Sequence, residues 1–180
     1  MKAILACVAV FTAMFLLFSC SGEKSFENSE DFESGKFIDT LFGPGTLGTS
    51  VWVVSDRERV ISGQFSVYSK VEPYRGKWWE FLTSEKKKLR LERKGFYRVT
   101  FKYKAIETPS ADGFFYFALK TPKGGHANNL AFTKWSDGAG TAGTKTVTFR
   151  LGDFDDYLLI WGIHNQGALA IDDIRVTKSK

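Results

Sequence analysis

Hydrophobic and polar residues alternate with a period of two along much of the chain. Between Phe96 and Ala105, the residues Tyr97, Val99, Phe101, Tyr103 and Ala105 share one side. Arg98, Thr100, Lys102 and Lys104 share the other. Successive side chains of an extended strand point to opposite faces, so this pattern predicts a strand with one face in a core and one in water. Thr146–Leu151 and Gln64–Ser69 alternate in the same way. Residues 84–94 (SEKKKLRLERK) have a helix-like composition, but Leu89 and Leu91 alternate with Lys88, Arg90 and Glu92, which predicts another strand. Breaks at Gly43-Pro44-Gly45, Gly124-Gly125, Gly138-Ala139-Gly140 and Gly143 separate the runs. Short strands at this spacing predict an all-β fold, a sandwich of two antiparallel sheets. Two runs are apolar on both faces: Phe114–Leu119 and Tyr157–Trp161. Either loops cover their outer sides or those sides form an apolar groove.

The first twenty residues follow a different rule. Lys2 precedes an almost wholly apolar run over residues 3–18, which suits a secretory leader and is too short for the roughly 20 residues of a membrane span. Leu17-Phe18-Ser19-Cys20 resembles the bacterial lipobox. That resemblance implies a signal peptide over residues 1–19, cleavage before Cys20, and lipidation of Cys20. The expected product is a bacterial membrane-anchored lipoprotein, its anchor formed by several acyl chains because one alone holds a membrane only marginally. Ser21 at the following position points to the outer membrane where sorting follows the enteric rule. Residues 20–30 then read as a lipidated N-terminus and polar tether, and residues 31–180 as one domain.

Composition narrows the chemistry. Of 180 residues, 17 are Phe, 6 Tyr and 5 Trp, too many rings for a disordered chain. Both cysteines lie within the first twenty residues, so the domain has no disulfide, catalytic thiol or thiolate metal site of its own. The two histidines, His126 and His164, show no metal-ligand spacing. There is no Gly-x-Ser-x-Gly elbow or phosphate-binding loop, and no paired-carboxylate strand signature of a jelly-roll glycosidase. Asp153, Asp155 and Asp156 read as a solvated turn. An enzyme is therefore not expected. The net charge is +5, with its densest cluster at Lys86, Lys87, Lys88, Arg90, Arg93 and Lys94. That cluster reads as a guarded strand edge, or as a surface for an anionic envelope partner. Export argues against nucleic acid.

Several segments carry a resemblance. They are Phe32-Glu33-Ser34-Gly35, then Trp52, then Ile61–Val67 (ISGQFSV), then Gly95–Phe101 (GFYRVTF), and finally Ala168–Val176 (ALAIDDIRV). In this order they resemble the family 4/9 carbohydrate-binding modules, jelly-roll sandwiches of the galactose-binding-like superfamily. The resemblance implies an opening strand at Phe32–Gly35, a core role for Trp52, and sugar binding without catalysis. It also implies a structural calcium held by Glu33 and by Asp172 or Asp173. The residues themselves read equally as a hydrogen-bonded turn, or as carboxylates paired with Lys or Arg. Ile171, Ile174 and Val176 do not alternate strictly around Asp172-Asp173, which predicts a bulge in the last strand.

A sugar ring lays its C–H face on an aromatic ring while polar side chains read its hydroxyls. The candidate ligand-binding residues are Tyr74, Trp78, Trp79, Trp135, Trp161, His164 and Asn165. Trp78 and Trp79 are consecutive, so in a strand one enters the core and the other looks outward. For each ring taken singly, core packing is the competing role. The expected function is non-catalytic binding of a poly- or oligosaccharide at the bacterial envelope. The alternative is a structural jelly roll that holds an envelope protein on the same face, since fold does not fix function.

Overall fold

The computed structural model describes residues 26–45, 50–85, 88–121, 131–153 and 155–179. The leader, Cys20, Lys86, Lys87, Gly124-Gly125 and His126 lie outside the described residues. All regular structure among the described residues is β-strand. No helix among them is long and apolar enough to cross a membrane. Among the described residues eleven strands form two antiparallel sheets, the predicted sandwich. In chain order they are β1 (Glu27–Glu30), β2 (Phe42–Pro44), β3 (Val51–Val54), β4 (Ser66–Val71), β5 (Trp78–Ser84), β6 (Phe96–Glu107), β7 (Phe114–Lys120), β8 (Ala131–Trp135), β9 (Ala142–Arg150), β10 (Leu158–His164) and β11 (Gly167–Ser179). The first sheet runs β3-β4-β11-β6-β9, with β1 paired to β11. The second runs β2-β5-β10-β7-β8.

The alternation over Phe96–Ala105 becomes β6, with Tyr97, Val99, Phe101, Tyr103 and Ala105 all buried. Phe101 projects from the first sheet into the rings of the second. Its ring lies 5.5 Å from Trp161, 6.0 Å from Phe117 and 5.8 Å from Trp135. Trp161 also meets Phe42 edge-on at 5.2 Å and Phe117 at 5.0 Å. These rings tie β2, β7, β8 and β10 to β6.

Three expectations need correcting. Residues 84–94 do not form a strand beyond Ser84. Leu89 and Leu91 are buried as their alternation implies, but the backbone there is held by turns and by a side chain rather than by a ladder. Leu89 N–H donates to Glu85 O (3.0 Å), Leu91 N–H donates to Tyr157 Oη (2.5 Å), and Tyr157 Oη donates to Leu89 O (2.8 Å). Next, Phe32–Gly35 is a turn, closed by Gly35 N–H to Phe32 O (2.9 Å). The opening strand is instead β1, within the segment expected to be a tether. Its polar residues pair edge to edge with β11, from Glu27 opposite Thr177 to Glu30 opposite Ile174. Finally, Trp52 is not in the core. It sits on the outer face of the first sheet, 46% exposed.

The predicted bulge in the last strand is present. The β11–β6 register shifts between Asp172 and Arg175, where Asp173 has a φ of 46°. Asp172 Oδ2 accepts from Ser66 Oγ (2.8 Å), Ser62 Oγ (3.0 Å) and Ser62 N–H (3.2 Å). Asp173 pairs with Lys102 Nζ at 2.6 Å. Glu33 accepts from the N–H groups of Gln64 (3.0 Å) and Phe65 (3.2 Å), beside Gly63, whose φ of 61° and contact with the Glu33 carboxylate leave no room for a Cβ. Glu33, Asp172 and Asp173, the residues for which the resemblance implies a calcium, accept from N–H, O–H and ammonium donors. No group of three or more His, Cys, Asp or Glu among the described residues is placed to hold a metal ion.

Burial pushes the Asp172 carboxyl up. Burial acts the same way on Asp173, but its hydrogen bonds to Lys102 and Ser62 outweigh that and hold it below the usual carboxylate range. A depressed folded-state pKa contributes stability that is lost as pH falls from about 4 downward, because the unfolded chain takes up its proton first. The Asp173→Asn variant should therefore lose less stability between about pH 4 and pH 2 than the native chain, measured by urea unfolding across that range. In the core, Trp161→Ala should lower the unfolding free energy by about 3–5 kcal/mol, read from the guanidinium unfolding midpoint.

Candidate functional site: an aromatic face on the second sheet

The second sheet spends its inward residues on the core, yet its outward residues are also rich in rings. Register aligns them in rungs. Trp78 on β5 lies opposite His164 on β10, which lies opposite Phe114 on β7. The next rung is Glu80, Gly162, Tyr116 and Lys134, and the one after is Thr83, Ile160, Ala118 and Phe132. His164 is sandwiched between rings, 4.6 Å from Trp78 and stacked at 13° on Phe114, also at 4.6 Å. Trp78 further meets Tyr116 at 5.1 Å and Phe132 at 6.0 Å. Trp78 is 43% exposed and Phe132 38%, while Tyr116 beneath them is buried. The outer side of the doubly apolar runs thus carries the exposed rings Trp78 and Phe132 above buried Tyr116, Ala118 and Ile160.

Gly162 makes this floor possible. A Cβ there would collide with the Tyr116 ring and with Trp79 O. Without one, Tyr116 lies across β10 and its hydroxyl donates to Trp79 O at 3.2 Å. Beside the rings, Glu80 forms an ion pair with Lys120 across β10. Glu80 is buried, and burial pulls the Lys120 ammonium below its ordinary pKa. Lys134 Nζ stands 5.2 Å above Phe114. The contact between His164 Nδ1 and Asp112 O (3.2 Å) leaves Nε2 as an acceptor when Nδ1 carries the proton. The face therefore offers ring surface for C–H groups, with ammonium and imidazole groups at its margins and the Glu80 carboxylate buried beneath Lys120.

The sequence candidates divide. Trp78 and His164 stand together on this face. Trp79 points the other way, half-buried, with Tyr74 edge-on at 6.5 Å and Lys77 Nζ 4.2 Å above its ring. Tyr74 and Asn165 line a separate depression of about 210 Å³ at the sheet end, with Arg75 and Asp112. Asn165 is buried, and its groups are spent on the turn: Oδ1 accepts from Gly76 N–H (2.6 Å) and Nδ2 donates to Asp112 O (3.2 Å). Trp135 and Trp161 are core residues, because Trp135 pairs with Phe115 and Trp161 with Phe117 on the inward side of the sheet. Phe114, Tyr116, Phe132, Glu80, Lys120 and Lys134 were missed. A signal existed in the two-sided apolar run of β7 and in the acid inside Trp78-Trp79-Glu80-Phe81.

Among the described residues of the lysine-rich segment, several cations are paired. Arg93 pairs with Asp155 and lies 3.6 Å from Asp153, Lys94 pairs with Asp153 at 2.8 Å, and Lys88 lies 3.6 Å from Asp39.

No family model matches the chain, and no curated protein matches it. Solved structures do. The fold is shared with carbohydrate-binding modules. The first module of family 22 from Paenibacillus barcinonensis Xyn10C, a xylan-binding domain, superposes with a TM-score of 0.65 at 13% identity, covering 85% of this chain and 94% of that one. A family 61 module in complex with β-1,4-galactotriose gives 0.52 at 17% identity, covering 83% and 94%. The K1 cleaved adhesin domain of Lys-gingipain from Porphyromonas gingivalis gives 0.56 at 16% identity, covering 86% and 99%. At these identities the likeness establishes the jelly-roll fold. Gly162→Ala should keep the fold but displace Tyr116 and loosen Trp78. The expected readout is a red shift and stronger acrylamide quenching of tryptophan emission, a change absent from the Gly138→Ala control, where an added Cβ meets only ordinary contact.

Proposed function

We propose that this domain binds a glycan chain without cleaving it, on the outer face of the second sheet. The observation that carries this reading is Trp78, an indole held by four rings and still open to solvent. An exposed ring fixed in place offers contact area at little entropic cost to a ligand. Lys120, held by the buried Glu80 carboxylate, presents a donor whose geometry is already set. Their mutual neutralisation suits uncharged hydroxyls better than a formal charge. The ligand class is then a neutral β-linked polysaccharide, in line with the xylan and galactotriose named for the neighbours. The finer kinship we favour is with the family 4/9 modules. We further propose that the chain is a lipoprotein, anchored through Cys20 to the bacterial envelope, the outer membrane in particular. There it would hold polysaccharide near the cell.

Isothermal titration of the purified protein with xylohexaose and β-1,4-galactotriose tests the binding. Trp78→Ala should weaken the interaction by at least about thirty-fold, the cost of truncating an anchoring ring of roughly 2 kcal/mol. Trp135→Phe, a change in the core, should leave it within about two-fold. Equal affinity in the native and Trp78→Ala proteins would refute the site. Lack of binding to a broad glycan array, together with a specific co-purifying envelope protein, would replace this reading with the protein-partner one.

A further inference from the structure

A second exposed tryptophan lies on the opposite side of the sandwich. Trp52 on β3 heads a rung of the first sheet's outer face that continues through Tyr68, Ala170 and Lys104. Its ring stacks on Tyr68 at 5.8 Å and 28°. The Arg59 guanidinium in turn stands over the Tyr68 ring, 4.8 Å from its centroid. Val54, Ala168 and Ile106 pack around Tyr68 beneath. The platform is therefore rigid below and open above.

A depression of about 320 Å³ adjoins it, lined by Trp52, Val53, Val54, Arg59, Tyr68 and Lys70. That volume is at the lower end of small-ligand sites, about 300–1,000 Å³. Its rim is charged but balanced. Arg59 Nε binds Asp56 at 2.7 Å, Lys70 Nζ binds Glu107 at 2.7 Å, and Lys104 Nζ donates to Glu58 O at 2.5 Å. Donors and acceptors thus stand at fixed places with little net charge. A lipid-seeking patch would carry several exposed apolar groups and unpaired cations, and this one has a single exposed ring with paired cations.

We propose that Trp52 and Tyr68 form a second saccharide site, for an uncharged pyranose unit stacked on Trp52 and read by Arg59 and Lys70. The proposal rests on the reading of the domain as a glycan binder, but on separate residues. With Trp78 on one sheet and Trp52 on the other, one molecule grips two stretches of glycan and can bridge them.

Titration of xylohexaose and β-1,4-galactotriose into four purified proteins tests this: native, Trp78→Ala, Trp52→Ala and the double variant. The native chain should bind two oligosaccharides, each single variant one, and the double variant none. Trp52→Phe keeps a ring and should retain the second site with less than tenfold weakening. Thermal melting of each variant controls for folding. Binding of one sugar that Trp52→Ala leaves unchanged overturns the second site while the first stands. Loss in Trp52→Ala with no effect of Trp78→Ala overturns the first while the second stands. Absence of sugar binding by the native protein overturns both. A blue shift of Trp52 emission on vesicles of phosphatidylethanolamine and phosphatidylglycerol, without sugar binding, would identify a membrane contact instead.

Discussion

The packing of Phe101 against Trp161 and Phe117 is the contact on which the rest depends. It joins β6 of the first sheet to β10 and β7 of the second through fully buried rings. Ring-to-ring contacts at these separations are specific in geometry as well as strongly apolar. Once Trp161 and Ile163 are committed inward, strand geometry leaves Ile160, Gly162 and His164 no choice but the outer face. The core thereby dictates which residues can meet a ligand. Trp78 faces outward for the same reason that Trp79 does not.

The outer face of the second sheet is unusual for a two-layer sandwich, where one side of each strand is normally wet. Here the rungs Trp78–His164–Phe114 and Glu80–Gly162–Tyr116–Lys134 place rings and charges together. The missing side chain of Gly162 lets Tyr116 lie flat, and Tyr116 in turn supports Trp78. A buried carboxylate such as Glu80 is tolerated only with a partner, and Lys120 supplies it.

Much of this was legible before any coordinates. The period of two in β6, β4 and β9, the opposed directions of Trp78 and Trp79, and the bulge at Asp172-Asp173 follow from the alternation of residues along one strand. What was not legible depends on pairing between distant strands. Nothing local distinguishes Trp161 as core from Trp78 as surface, because that is settled by register with β5 and β7. Leu89 and Leu91 alternate correctly, yet Tyr157, far along the chain, takes the backbone bonds a neighbouring strand would have taken. At the Asp172–Asp173 corner the sequence leaves a calcium site, a hydrogen-bonded turn and pairing with Lys or Arg open. In space, Ser62, Ser66 and Lys102 donate to it.

The indole N–H resonances offer the most direct test of the central claim. The five tryptophans stand in distinct environments, from sealed Trp161 to open Trp78. Titrating xylohexaose into ¹³C,¹⁵N-labelled protein should move the Trp78 indole signal strongly, together with the ring signals of His164 and Tyr116, and leave Trp161 and Trp135 in place. A sugar that binds while the Trp78, His164 and Tyr116 signals stay still would contradict the account.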